Sequence, residues 1–155
     1  MDLFYTVRQH VLKELDGMVA DGELPSGLDM ASVAVEPPRD SLHGDMATNA
    51  AMVLSKSAKK NPREIAENLA KRLSNVDIIE NSQVAGPGFL NLRISIKAWQ
   101  LNLNKILELG NSYGRTGLGK NLRVNVEFVS ANPTGPLHVG HTRGAVFGDA
   151  LSELL

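Results

Sequence analysis

The sequence predicts an α+β domain with a small antiparallel sheet packed by helices over residues 1–110. A glycine-rich linker at 111–121 follows, and then the opening strand, loop and helix of a second, parallel α/β sheet at 122–155. Three observations carry this reading. Apolar residues recur at three- and four-residue steps in some segments and alternate in others, so helices and strands interleave. Leu90, Leu92, Ile94 and Ile96 alternate with Asn91, Arg93, Ser95 and Lys97, the pattern of a half-buried strand in an antiparallel sheet. Asn111 to Lys120 holds three glycines and no apolar periodicity, which marks a joint.

The elements follow in order. Leu3, Phe4, Val7, Val11, Leu15, Met18 and Val19 form an amphipathic helical stripe. Gly22, Pro25 and Gly27 end it, and Val33 and Val35 alternate in a short strand before Pro37 and Pro38. From Asp45 to Ala58 the abundance of Ala, Met and Leu predicts a second helix. Asn61, Pro62 and Glu64 supply a cap, a first-position proline and an early acid for a third helix that carries Ile65, Leu69 and Leu73. Residues 76 to 85 predict a strand with Val76, Ile78, Ile79 and Val84, joined by the Gly86-Pro87-Gly88 turn to the alternating strand above. Trp99, Leu103, Ile106 and Leu107 restore helical spacing until Gly110.

Composition sets outer bounds. With 43% apolar and 21% charged residues, the 155-residue chain has the balance of a soluble globular protein and not of a disordered, collagen-like or membrane-spanning one. Sixteen basic against seventeen acidic residues give a net charge of -1, so any nucleic-acid binding must come from a local patch. The absence of cysteine excludes disulfides, thiolate metal ligation and a thiol nucleophile. Charge runs through the N-terminal segment, which reads as mature structure and not as a leader, and a cytoplasmic location is the default.

Chemistry concentrates after the joint. Leu122, Val124, Val126 and Phe128 alternate as a strand, Ser130 to Pro136 form a loop, and a helix with a buried stripe of Val146, Phe147, Ala150, Leu151 and Leu154 begins at His138-Val139-Gly140-His141. A strand, loop and helix start of the Rossmann-like kind binds phosphate, because free N–H groups and the positive end of the helix dipole face the anion. The two histidines can donate to phosphate oxygens, and Gly140 leaves room for a flat purine. On its own the spacing H-x-G-H is short, and the plainer reading of such a pair is a helix cap.

The surrounding block, Glu127 to His141 (EFVSANPTGPLHVGH), resembles the first signature of class I aminoacyl-tRNA synthetases, specifically that of arginyl-tRNA synthetases. Residues 43–49 (HGDMATN) and 86–91 (GPGFLN) are similar to phrases of that family's N-terminal appended domain, so the resemblance covers essentially the whole chain. It implies that 1–110 is a tRNA-recognition domain and that 122–155 begins a catalytic domain. His138 and His141 would then be catalytic, and with Gly140 would bind ATP. Glu127, Ser130, Asn132 and His141 would hold arginine. The implied reaction joins arginine to tRNA(Arg) through arginyl-adenylate, with Mg2+ accompanying ATP and no dedicated protein metal site. The family's later lysine-bearing loop is expected beyond Leu155, so the chain reads as an inactive N-terminal fragment of a longer ligase. Leu54 to Ser57 imitates that loop only by coincidence.

Six basic residues against two acidic ones give residues 56 to 72 a surplus of positive charge. Such a surplus is more often a solvated helix face, but with the resemblance it makes Lys56, Lys59, Lys60 and Arg63, with Asn91 and Arg93 on the polar face of the alternating strand, the candidates for tRNA contact. Phe89 either stacks on a base or fills the core, and the core reading is preferred. His10 and His43 have no partners in sequence and are not metal candidates. A free-standing RNA-binding module and another H-x-G-H nucleotidyltransferase are the competing functions. The first leaves 122–155 without purpose, and the second lacks a reason for the large upstream domain. Oligomeric state stays open, although an unpaired apolar strand at 122–128 favours self-association.

Overall fold

The computed structural model describes residues 2–38, 40–117 and 119–155, and it divides into two compact units, Met1–Gly114 and Arg115–Leu155. In the first unit, α1 (Leu3–Ala20) starts where the Asp2 carboxylate accepts from the Phe4 N–H at 3.2 Å and buries Leu3, Val7, Val11, Leu15 and Met18. Strands β1 (Val35–Glu36), β2 (Met46–Thr48), β3 (Ile79–Ala85) and β4 (Phe89–Ile94) form one antiparallel sheet in the order β1-β2-β4-β3. Helices α2 (Ala50–Ala58) and α3 (Pro62–Leu73) join α1 over one face of it, where Leu90, Leu92 and Ile94 meet Met46, Leu54, Ile65, Leu69 and Leu73.

The start of α3 is built as its sequence predicts: the Asn61 side chain accepts from the Arg63 N–H at 2.9 Å and Pro62 occupies the first turn. The helix expected from Asp45, by contrast, begins only at Ala50. Met46–Thr48 is instead an interior strand, with Met46 opposite Leu92, Ala47 opposite Asn91 and Thr48 opposite Val35. Two contacts lock it there. The Asp45 carboxylate accepts from the Ile94 N–H at 2.8 Å, and Gly44 (φ +114°) passes so near β4 that a Cβ would lie 2.7 Å from the Leu92 carbonyl oxygen. Pairing with a distant strand overrides the local preference of Ala and Met for helix. The strand expected from residue 76 likewise starts only at Ile79, because Val76 closes the end of α3 by donating to Leu73 O at 3.0 Å.

Helix α4 (Ile96–Leu109) is capped by Ser95, whose hydroxyl accepts from the Ala98 N–H at 3.3 Å. Its apolar stripe does not enter the core: Trp99, Leu103 and Leu107 are exposed and only Ala98 is buried. Helical spacing reports the helix but not what covers it.

The second unit corrects another expectation. Residues 121–130 carry no strand, and among the described residues they have no ladder partner. A strand is completed by its neighbour's hydrogen bonds, and alternation alone does not supply them. The expected helix is present as α5 (Val139–Leu154), but Val146, Phe147 and Leu154 are exposed. Its buried position is Gly148, which faces Phe128 with no room for a Cβ.

Candidate functional site

His138 and His141 meet at the start of α5. The His138 Nδ1 accepts from the Gly140 N–H at 3.1 Å, and the His141 Nδ1 accepts from the His138 N–H at 3.2 Å, a reciprocal capping box made of two imidazoles. The rings stack, with centroids 3.8 Å apart and planes inclined by 28°. The N–H groups of His141 and Thr142 both bond the His138 carbonyl, at 2.9 and 3.2 Å. Three amides of the first turn, those of Gly140, His141 and Thr142, are thus engaged within the turn itself, which leaves fewer free than the set expected at a helix start. The histidines are a cap and remain available as donors through their outer edges.

The residues expected to hold a cationic amino acid lie just upstream. The Ser130 hydroxyl donates to the Glu127 carboxylate, so these two are joined, while Asn132 is exposed in the following loop. Residues 125 to 130, Glu127 and Ser130 among them, line a shallow depression. The arrangement offers one carboxylate in the open with a hydroxyl beside it.

On the first unit, the basic segment separates into two groups. Lys60 pairs with Glu64 at 3.8 Å and Arg63 with Glu67 at 3.1 Å, each one helical turn apart. Arg72 is drawn inward by Glu23 at 2.6 Å and Asp21 at 2.5 Å, and these hydrogen bonds hold its guanidinium charged well above the ordinary arginine range. Lys59 terminates α2 in the left-handed conformation (φ 52°) with Lys56 in the same last turn. Charge count alone could not make this distinction.

The open face of the sheet carries the clearest concavity. Phe89, Asn91 and Arg93 alternate with the buried Leu90, Leu92 and Ile94 and so point away from the helices. Phe89 is 45% exposed, which overturns its assignment to the core. Its parity with Asn91 was the signal that could have placed it. A cleft of about 480 Å³ is lined by Phe89, Asn91, Asn49, His43, Pro37 and Pro38, among others. A smaller depression of about 120 Å³ adjoins it through His43 and Asn91 and adds Asn81, Gln83 and Arg93. His43, which has no partner in sequence, lines both depressions, and Gln83 lines the smaller one although no sequence motif marks it. Among the described residues no cluster of His, Asp and Glu could hold a metal ion, and no helix is long and apolar enough to cross a membrane.

Residues 6–94 match the family described as the arginyl tRNA synthetase N terminal domain. All 155 residues align with the arginine–tRNA ligase of a Ruegeria species at 61% identity and with that of Ruegeria pomeroyi at 60%, and in each case the chain spans 27% of the relative's length. Among solved structures, the Thermus thermophilus arginyl-tRNA synthetase matches with a TM-score of 0.60 and 27% identity, covering 97% of this chain and 22% of that one. The Plasmodium falciparum arginyl-tRNA synthetase shares the fold, with a TM-score of 0.69 at 18% identity, over 96% of this chain and 27% of that one.

Proposed function

Because the chain belongs to the arginyl-tRNA synthetase family, we propose that it supplies the tRNA-reading domain and the first ATP signature of an arginine–tRNA ligase. One observation carries the reading: the N-terminal domain family covers 6–94, and the same chain presents His138, Gly140 and His141 at a helix start with Glu127, Ser130 and Asn132 just before it.

In the proposed reaction the arginine carboxylate attacks the α-phosphorus of ATP, the bond to the β,γ-phosphates breaks, and arginyl-adenylate and pyrophosphate form. A ribose hydroxyl of the tRNA terminus then attacks the activated carbonyl and releases AMP. No covalent enzyme intermediate is required, so the protein contributes positioning and charge stabilisation. His138 and His141 steady the charge that grows at the α-phosphate, and Gly140 gives the adenine access to the backbone. Glu127 receives the cationic side chain of arginine and Asn132 its head group. Magnesium enters with ATP, held chiefly by the phosphates. In the longer polypeptide, 122–128 becomes the first strand of a Rossmann-like sheet and gains the ladder partners it lacks here.

For tRNA, the open face supports reading of an unstacked nucleotide. Phe89 offers a stacking surface, typically worth about 1–3 kcal/mol per base, and Asn91 offers both a donor and an acceptor for a base edge. Arg93, Lys56 and Lys59 suit the phosphate backbone, whereas Lys60 and Arg63 have carboxylates to satisfy first. The place of action is the cytoplasm.

The test replaces the corresponding 27% of the Ruegeria ligase with this chain. Arginine-dependent pyrophosphate exchange is expected from the chimera and not from the 155-residue chain. A chimera that folds but does not exchange contradicts the proposal.

A further inference from the structure

We infer that Gly148 is a positioning residue for the amino-acid end of the site: the space left by its missing side chain seats Phe128, and that seat holds Glu127 and Ser130 where a cationic ligand meets them. The assignment of Glu127 and Ser130 to arginine rests on the function proposed above. The seat itself does not.

A glycine inside a helix is a cost to stability, because Ala loses less backbone freedom on folding and is the better helix former. α5 carries one at 148, its buried position. Phe128 supplies the reason: a Cβ at 148 would lie 2.9 Å from the Phe128 Cδ2 and nearer still to the Phe128 Cβ and Cγ. Gly144, one turn earlier in the same helix, is exposed and has nothing within 4 Å of its Cβ position. Helix propensity treats the two glycines alike, so packing is what separates them. Phe128 is half-buried between the exposed Glu127 and Val129, and its side chain ties this segment to α5.

The backbone beyond Phe128 needs such an anchor. Val129 lies at φ 59°, in the left-handed region, which a β-branched residue adopts only where its surroundings impose it. Its carbonyl accepts from the Ala131 N–H at 2.8 Å, so the chain reverses tightly around Ser130. The Ser130 hydroxyl thereby reaches back to the Glu127 carboxylate. Phe128 sits inside the short loop that this bond closes, and no ladder partner among the described residues steadies the loop from the side. A methyl group at 148 displaces Phe128 from α5, and Glu127 and Ser130 move with the backbone they share with it.

The experiment is arginine-dependent pyrophosphate exchange by the chimera with the Ruegeria ligase, with KM for arginine and KM for ATP determined separately. Gly148→Ala is expected to raise KM for arginine by about tenfold or more and to leave KM for ATP within about twofold, whereas Gly144→Ala, an equal gain in helix propensity, changes neither. Equal effects of the two substitutions, or a joint rise of both KM values in Gly148→Ala, overturn the inference. Phe128→Leu covers the case in which Gly148→Ala does not fold, since it opens the same contact without crowding it. The same split is expected there, and an unchanged KM for arginine overturns the inference. The seat is read separately, without arginine or ATP, as a nuclear Overhauser contact between the Phe128 ring protons and the Gly148 Hα in the 155-residue chain. Absence of that contact overturns the inference. With the contact present, an unsubstituted chimera that folds but does not exchange contradicts the function proposed above and not the seat.

Discussion

Gly88 rests on Pro62 so closely that a Cβ added to the glycine would lie 2.8 Å from the proline Cβ and 3.0 Å from its carbonyl carbon and oxygen. The turn between β3 and β4 is thus seated on the first turn of α3, and Phe89, the next residue, takes its place at the mouth of the cleft. Gly88 also has φ +153°, a backbone conformation that side chains disfavour.

Gly88→Ala is therefore expected to destabilise the chain by about 1–3 kcal/mol, since both crowding and backbone strain oppose it. Urea unfolding of the two proteins measures this. Gly86→Ala is the contrast: its φ is also positive, but nothing lies within 4 Å of its Cβ position, so only the conformational cost applies. Equal losses in the two variants would contradict the packing role.

Arg72 ties the end of α1 to the end of α3 through Glu23 and Asp21. Removing the guanidinium strands Glu23, one of whose carboxylate oxygens is already buried without a hydrogen-bond partner among the described residues. Arg72→Met is expected to lower the melting temperature. The guanidinium is held above its ordinary range, so its contribution is fully present below that range and is lost only as pH rises through the raised value. Protonation of Arg72 itself therefore adds no pH dependence near neutrality. A melting temperature for Arg72→Met equal to that of the parent protein would contradict the tie.

Lys59 ends α2 without a carboxylate partner among the ion pairs of the described residues, whereas Lys60 is paired with Glu64. If the basic segment contacts RNA, Lys59→Ala lowers the slope of log affinity against log salt by about one unit, because one phosphate contact releases one counterion. Lys60→Ala lowers it less. Filter binding of tRNA across a salt series reads both slopes, and the reverse order would place the contact elsewhere.

The parts of this fold legible in the sequence were those whose cause is local. Asn61 and Pro62 announce α3 because a cap and a fixed φ act within one turn. β2 was read as helix because its cause is distant: Ala47 is held by pairing with Asn91 and Gly44 by its closeness to Leu92, and neither is visible in a window of Ala and Met. The alternation at 122–128 is real, but a strand also needs an edge to pair with. The stripes of α4 and α5 gave the helices correctly and their surroundings wrongly, since period says which residues share a face and not whether anything covers it. Spacing placed His138, Gly140 and His141 at the start of a helix, and α5 begins there. The capping of α5 by the imidazoles themselves was not legible, because it depends on ring orientation and on which backbone amides are near. Phe89 was within reach, for it shares its parity with Asn91 and Arg93.

The most direct test of the division of labour between an RNA-reading sheet face and a nucleotide-activating helix start is steady-state arginylation by the chimera. Asn91→Ala is expected to raise KM for tRNA several-fold and to leave arginine-dependent pyrophosphate exchange unchanged, whereas His141→Ala lowers exchange by about 100-fold or more with little change in tRNA binding. If Asn91→Ala slowed exchange as much as it weakened tRNA use, or if His141→Ala left exchange intact, the account of the two units would be contradicted.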